Sequence, residues 1–290
     1  MIAGPEHWNL ILKTAVTQRQ TELLEHLRSL LGQLGISISG ATPTVNRAVA
    51  KNQEWFESES KEARSSLGKL HPGTGIFELT HYPEGISTTW DQSQLVAAAQ
   101  KAVARKTGWP IGMVMNKPEF APKPTAFGIR AVIDAGDRFD YWSLNKNGGF
   151  YFLRILDEDT DLDRQRRGEK QWIYFDTRIW RVAEALLHCS SLYRELGLPA
   201  ETLIVICICH SGLKNRLLGV GNPMRMMHWH RKSQEDALVW SKTVLLGSIE
   251  ATLGDLTREA TKELFMLFEY WEPTDQIFGE VFNEFSKSYI

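Results

Sequence analysis

The sequence predicts an α+β fold in which a mostly antiparallel sheet is covered by helices. Three apparent strands follow one another closely, at residues 127–134, 139–145 and 150–156, and Asn147-Gly148 between the second and the third favours a tight hairpin turn. Residues 8–34 and 177–196 instead repeat their apolar side chains at helical spacing. Strands joined by such short connections form an antiparallel meander, which the helices are expected to cover.

The composition is that of a globular protein. Of the 290 residues 43% are apolar and 23% are charged, and ten Trp and thirteen Phe make the chain somewhat rich in aromatic residues. The formal net charge is −2. Affinity for a polyanion would therefore have to come from a local cluster of cations, because the field of the whole molecule does not favour it.

The first 68 residues are predicted to form a helical hairpin, and residues 69–290 an α+β domain. Four leucines spaced by four, three and four residues lie on one stripe of the first helix: Leu23, Leu27, Leu30 and Leu34. The second helix begins at Thr42, with Pro43 in its first turn, and runs toward Leu67. Two interpretations of the stripe stay open: it packs on the protein's own body, or it serves self-association or partner docking.

The rest of the chain alternates between strands and helices. Asp176 is the expected cap of the helix at 177–196, and Gly197 is expected to end it. Residues 203–209 are apolar throughout, which predicts a central strand buried on both faces. The remaining predicted elements are strands at 75–82 and 239–246 and helices at 92–106, 256–271 and 275–286.

The cysteines indicate a reducing compartment. Cys189, Cys207 and Cys209 form an odd set, and the last two alternate along a strand, which fits inert core thiols better than a disulfide framework. Residues 1–8 contain no basic region followed by an apolar stretch, and no apolar segment is long enough to span a bilayer. We expect a cytoplasmic protein that does not enter the membrane.

The most informative region is a basic segment without acids. Residues 202–234 contain no Asp or Glu. Cations beside an indole suit phosphate contact with base stacking, an anionic small ligand or an acidic partner surface, whereas the simplest alternative is a solvated loop that lacks acids. The candidate binding residues are Lys214, Arg216, Arg225, His228, Trp229, His230, Arg231 and Lys232.

Histidines in this region do not form a recognisable metal or catalytic site. His228 and His230 would share one side of a strand, but two ligands do not make a metal site. His210 ends a strand, where a solvated or capped histidine is expected more often than a catalytic one. We therefore predict no metal and no cofactor.

Two further segments resemble known loops only in part. Residues 157–163 alternate carboxylates as calcium loops do, but Leu162 takes the position of the required glycine and Gly168 that of the required glutamate. Arginines follow, so an exposed, charge-compensated loop is expected. Residues 219–223 resemble a phosphate loop, but Pro223 removes a backbone donor, which favours a simple turn.

Several aromatic and apolar stretches resemble a poorly characterised bacterial domain that often follows Schlafen-like AlbA_2 modules, which are assigned to nucleic-acid binding. The similar stretches are Phe139-Asp140-Tyr141-Trp142-Ser143-Leu144, Gly149-Phe150-Tyr151-Phe152-Leu153, residues 177–193 and Cys209-His210-Ser211-Gly212-Leu213. The resemblance implies an accessory domain of a nucleic-acid-linked or defence-related system. No AlbA_2 module is recognisable in the chain, so neither ATP binding nor DNA binding is transferred to any residue.

The leading functional prediction is a non-enzymatic recognition or regulatory protein that contacts nucleic acid or an acidic partner through its basic segment. The chain has no G-x-S-x-G elbow, no H-E-x-x-H helix and no Walker loop. Two alternatives stay open. One is a metal-dependent or histidine-based hydrolase or nuclease, and the other is an oligomeric scaffold assembled through the leucine stripe.

Overall fold

A computed structural model describes residues 42–71, 73–160, 171–227, 229 and 231–288. The chain divides into two compact units, Met1–Lys51 and Asn52–Ile290. The first predicted helix and its leucine stripe lie outside the described residues, as do His228 and His230. The predicted helix from Thr42 is present, and the predicted boundary at residue 68 falls within it.

Helices and strands occupy most of the described chain. The helices are α1 Thr42–Leu70, α2 Gln92–Ala102, α3 Phe175–Glu195, α4 Leu253–Met266 and α5 Asp275–Lys287. The strands are β1 Ile76–Pro83, β2 Lys123–Pro124, β3 Gly128–Asp134, β4 Phe139–Asn145, β5 Phe150–Ile155, β6 Trp172–Tyr174, β7 Leu203–Ser211, β8 Leu217–Gly219, β9 Arg231–Lys232 and β10 Ala237–Leu245. A 3₁₀ turn, Asp157–Asp159, follows β5.

The main sheet has seven strands in the order β10-β7-β1-β5-β4-β3-β2, and every neighbouring pair is antiparallel. The predicted α+β class is thus confirmed. In the β4–β5 hairpin only Gly148 takes a positive φ, of 83°. The Asn145 side chain closes the turn by accepting hydrogen bonds from the backbone N–H groups of Asn147 at 2.9 Å and Gly149 at 2.8 Å.

Helices cover both faces of this sheet. On one face α2, α3, α4 and α5 contribute to a single large core, in which Leu95, Leu186 and Leu264 are fully buried. On the other face Ala63 and Leu67 of α1 pack in a smaller cluster with aromatic residues of β4 and β5. Burial of both faces explains why β4 and β5 are buried at every position, without the alternation of a half-solvated strand.

Strand β7 differs from its prediction. It was expected to be buried on both faces, but its burial alternates, and Cys207 and Cys209 lie half-buried on the more open face. The reason is that the side chains of α1 that cover this face of the sheet pack mainly on β4 and β5 and leave β7 more open. Burial still raises the pKa of Cys207 to about 11 and that of Cys209 to about 12, so both thiols stay protonated and unreactive near neutral pH.

A second, three-stranded sheet fixes the basic segment beside the start of α3. Its order is β6-β8-β9, with β6 parallel to β8 and β8 antiparallel to β9. Helix α3 follows β6 directly and begins at Phe175, so Asp176 lies in its first turn and is not its cap as predicted. This sheet pairs residues that are far apart in the chain, so no local sequence pattern predicts it.

Three histidines are buried in the core without a full set of hydrogen-bond partners. His81 accepts or donates one hydrogen bond with the Tyr193 hydroxyl at 2.7 Å, whereas neither ring nitrogen of His188 has a partner among the described residues. Burial lowers the pKa of His188 to about 3, and it also holds the pKa values of His81 and His210 well below their usual range. All three are therefore neutral in the folded protein.

This burial predicts loss of stability in mild acid. Below about pH 6.5 the unfolded chain binds a proton at each histidine and the folded chain does not, so the free energy of unfolding falls as the pH falls from there toward 3. His188→Leu should reduce this slope by about 1.4 kcal/mol per pH unit. Urea unfolding of both proteins across this range measures it, and equal slopes would contradict the assignment.

Candidate functional site

The structure gives the predicted cations different environments. Lys214 and Lys232 are exposed. Arg231 is half-buried, and its Nη1 donates a hydrogen bond to the Glu269 carbonyl at 3.2 Å. Arg225 makes a bidentate ion pair with Glu284 of α5, at 2.6 and 3.0 Å.

Arg216 is not available to a ligand, which corrects its place among the predicted binding residues. Its side chain is fully buried and pairs with Asp159 of the 3₁₀ turn, with Nη1 at 2.8 Å from Oδ1. The guanidinium also donates to the carbonyls of Gly212 at 2.6 Å and Trp172 at 3.0 Å. A cation that already has these partners cannot reach a phosphate.

His210 lies in the core rather than at a solvated strand end. Its ring is 2% exposed and packs edge-on against Phe77, with ring centroids 5.1 Å apart. Burial lowers its pKa, and the neighbouring Arg178 adds to the effect. The residue borders neither of the two cavities described below.

The first cavity is an apolar groove formed by the basic segment and the C-terminal helices, with a volume of about 440 Å³. We call it the methionine–tryptophan groove; it is lined by Phe175, Arg225, Met226, Met227, Trp229, Arg231, Trp271, Ile277 and Glu280. Large apolar side chains at and beside the groove are unusually exposed: Met224 at 89%, Met226 at 83%, Trp229 at 78% and Tyr270 at 83%.

Packed aromatic rings lie at the base of the groove, and a tight turn precedes one of them in the chain. Trp271 packs against Phe175 and Phe265, with ring centroids 5.0 and 5.4 Å apart. Just before it, Glu269 and Tyr270 take φ values of 56° and 60°, a conformation that is uncommon for residues other than glycine. The turn directs Tyr270 into solvent instead of the core.

The segment that carries the methionines is attached to the start of α3 by one buried carboxylate. Asp176 accepts hydrogen bonds from the backbone N–H groups of Gly221 at 2.9 Å and Asn222 at 2.8 Å. The Asn222 side chain in turn accepts from the Met224 N–H at 2.9 Å. The predicted turn at 219–223 is displaced toward the C-terminus: Gly219 ends β8, and the Arg225 N–H closes a turn by donating to the Asn222 carbonyl at 3.0 Å. Asp176 holds the start of this turn in place.

The second cavity lies on the other side of the Arg225–Glu284 pair and has a volume of about 640 Å³. We call it the carboxylate cleft; it is lined by Thr107, Asp157, Glu158, Tyr174, Asp176, Thr177, Trp180, Arg181, Gly221, Asn222 and Glu284. Its size lies within the usual range of small-molecule sites, roughly 300–1,000 Å³. Residues 221–229 contribute to the walls of both cavities.

Buried ion pairs form the back wall of this cleft. Arg178 donates to Asp157 and to Glu158, each at 2.9 Å, and Arg181 donates to Asp157 from Nε at 3.0 Å. Burial alone would raise the pKa of Asp157, but the two guanidinium groups hold it well below its usual value. For Glu158 burial prevails over its neighbours and raises the pKa.

These ion pairs correct the expectation of an exposed loop for residues 157–160, while residues 161–163 lie outside the described residues. Glu158 and Asp159 are nearly inaccessible, and both face arginines from distant parts of the chain. A signal was present in the sequence, because Arg178 and Arg181 interrupt the apolar face of α3 one turn apart. Charged residues on such a face require partners, and the acidic run supplies them.

The described chain contains neither a cluster of metal-ligating side chains nor a helix that could span a membrane. No group of three or more His, Cys, Asp or Glu side chains there is placed to hold a metal ion. The helices of this part of the chain are also too short or too polar to cross a bilayer. Neither family models nor curated proteins nor solved structures give a significant match to the chain.

The attachment of residues 219–223 can be tested by removing the Asp176 carboxylate. Asp176→Ala removes the acceptor of three backbone N–H groups, those of Thr177, Gly221 and Asn222, and should cost about 1–3 kcal/mol of unfolding free energy. The amides of Gly221 and Asn222 should exchange hydrogen faster, as measured by NMR or mass spectrometry. Asp255→Ala, an exposed first-turn carboxylate of α4, is the matched control. Unchanged amide exchange in the Asp176 variant would contradict the assignment.

Proposed function

We propose that this protein is a non-enzymatic recognition protein that binds an acidic segment of a partner protein in the methionine–tryptophan groove. The observation that carries the proposal is the exposure of Met226 and Trp229 in the lining of one apolar groove, with Met224 and Tyr270 also exposed next in sequence to groove residues. Soluble proteins rarely expose large apolar side chains together unless they bind a partner there.

The chemistry of the groove is that of an interface hot spot. Trp, Met and Arg are the residue types enriched where proteins meet, and a few such side chains usually supply most of the binding energy. The unbranched methionines at 224, 226 and 227 can adapt to the shape of an incoming side chain. The fixed rings of Phe175 and Trp271 give the partner a firm apolar floor.

Charge supports an acidic partner. Within the described part of the chain, no carboxylate is paired with Arg231 on the groove wall or with Lys232 beside it. The Arg225 guanidinium is held by Glu284 at the surface, where a partner's carboxylate can compete for it. An apolar anchor flanked by acidic residues therefore matches the groove.

A protein partner is favoured over nucleic acid. Of the predicted cations Arg216 is buried and Arg225 is paired, while Glu280 lines the groove itself. Binding to a phosphate backbone depends on many unpaired cations acting together, and few remain on this surface. The resemblance to a domain that accompanies nucleic-acid-binding modules agrees with a recognition role in a bacterial system, in which another module contacts the nucleic acid.

The other predicted roles have less support. His210 is enclosed in the core, so a hydrolase or nuclease would need a different base. A scaffold assembled through the leucine stripe rests on residues outside the described part of the chain. Cys189, Cys207 and Cys209 are free thiols, which agrees with a cytoplasmic location.

The proposal can be tested with a random peptide library displayed on phage and selected on the purified protein. Selected peptides should combine acidic residues with a large apolar one. Their affinity, measured by fluorescence polarisation, should fall at least about tenfold, or 1.4 kcal/mol, in Met226→Ser/Trp229→Ser and in Arg231→Gln/Lys232→Gln. The exposed residues Phe127 and Lys123 lie outside the groove, and Phe127→Ser and Lys123→Gln are the matched controls.

Two results would overturn this proposal. One is a selection that yields no peptide whose binding depends on the groove residues. The other is tight binding of single-stranded DNA that falls with Arg231→Gln/Lys232→Gln, with no peptide binding, because that would make nucleic acid the partner.

A further inference from the structure

Two methionines at the methionine–tryptophan groove are far more exposed than the other methionines of the described chain. Met224 is 89% exposed and Met226 is 83% exposed, whereas Met266 is 37% exposed. The remaining described methionines are half-buried: Met113, Met115 and Met227. Methionine side chains usually fill gaps in a core, so two thioethers held in solvent two positions apart are unusual.

The fold keeps these two side chains in solvent. Arg225, which lies between them, turns toward α5 and pairs with both carboxylate oxygens of Glu284, at 2.6 and 3.0 Å. Asp176 holds the residues that precede them, and the Asn222 side chain accepts a hydrogen bond from the Met224 N–H at 2.9 Å. Because Arg225 is anchored to the body of the protein, its two neighbours face outward.

The thiols of the protein compete poorly with these thioethers for an oxidant. Cys189 is fully buried, and burial raises the pKa of Cys207 to about 11 and that of Cys209 to about 12. Near neutral pH these groups are therefore protonated, whereas the thiolate is the nucleophilic form. A thioether has no proton to lose and reacts through its lone pair. The exposed methionines are thus the sulfur atoms of the described chain most open to oxidation.

Oxidation at this position would change the chemistry of the groove. A sulfoxide converts an apolar, flexible side chain into a polar one with a strong hydrogen-bond acceptor. Met226 lines the groove together with the packed rings of Phe175 and Trp271, which offer no hydrogen-bond donor from their ring faces. A sulfoxide oxygen covered by a partner there would lose its water without gaining a donor, which is unfavourable.

We propose that Met224 and Met226 are a modification site, at which a peroxide forms methionine sulfoxide and so switches off partner binding in the groove. This inference rests on the proposed peptide-binding function. The sulfur lone pair attacks one peroxide oxygen, so that an S–O bond forms as the O–O bond breaks. Sulfur loses two electrons, and hydrogen peroxide is reduced to water. Methionine sulfoxide reductases reverse the step, with two thiols giving a disulfide and water.

The first part of the test measures where the oxidant acts. The full chain is treated with hydrogen peroxide, and sulfoxide at each methionine is followed with time by peptide mapping and mass spectrometry. Met224 and Met226 should oxidise at least about fivefold faster than Met266 and Met113, because their side chains are the most exposed. Equal rates at all four positions would overturn the assignment of the site.

The second part measures the affinity for a peptide selected on the groove, by fluorescence polarisation before and after peroxide. Affinity should fall about tenfold after oxidation and return after treatment with methionine sulfoxide reductases and dithiothreitol. In Met224→Leu/Met226→Leu the ratio of the two affinities should fall to about one, whatever the starting affinity, because leucine has no sulfur. Met266→Leu is the matched control and should keep the wild-type ratio.

The outcomes separate this inference from the proposed function. Peptide binding that survives complete oxidation of Met224 and Met226 would overturn this inference alone. So would an unchanged response to peroxide in the double leucine variant, because the loss would then come from another residue. The absence of peptide binding before any treatment would instead overturn the proposed function, and the switch with it.

Discussion

The rest of the structure depends on three consecutive carboxylates and the three arginines that neutralise them. Asp157, Glu158 and Asp159 form the 3₁₀ turn after β5, and their partners are Arg178 and Arg181 on α3 and Arg216 before β8. Ion pairs this deep are costly to desolvate, and the loss of one partner leaves an uncompensated buried charge. The turn therefore connects the end of the main sheet to α3 and to the second sheet with strong geometric specificity.

The carboxylate cleft lies directly against this network. Arg178 and Arg181 fix the back wall of the carboxylate cleft, and Arg216 fixes the entry to β8, from which the methionine-bearing segment leads away. Close packing around Arg216 explains Gly75, because a Cβ at that position would lie 2.6 Å from the Arg216 guanidinium. The Asp176 carboxylate at the start of α3 holds residues 221 and 222, which line the carboxylate cleft and lead along the chain to Arg225 and Met226 in the groove.

Local sequence patterns predicted the long helices and strands but missed the contacts between residues far apart in the chain. The β4–β5 hairpin, α3 and β10 follow from alternation, helical periodicity and turn residues, which act between neighbours in sequence. The acidic run looked solvated because its arginines lie up to 57 residues away in the chain. The sequence also could not show that Arg216 is buried and that Arg225 is paired, unlike the exposed Lys214 and Lys232. Strands β6, β8 and β9 have only two or three residues each, which is too short for a periodic pattern. The exposure of Tyr270 depends on a positive-φ turn at Glu269 and Tyr270 that the sequence does not signal.

A double-mutant cycle on the Asp159–Arg216 pair tests most directly whether the buried network holds the fold. Denaturant unfolding of Asp159→Asn, Arg216→Gln and the double variant gives the coupling free energy. The account predicts a loss of about 3–5 kcal/mol for each single variant and a coupling of at least about 2 kcal/mol. The exposed pair Lys262–Glu272 is the comparison, with an expected coupling below about 1 kcal/mol. A coupling for the buried pair no larger than for this exposed one would contradict the account.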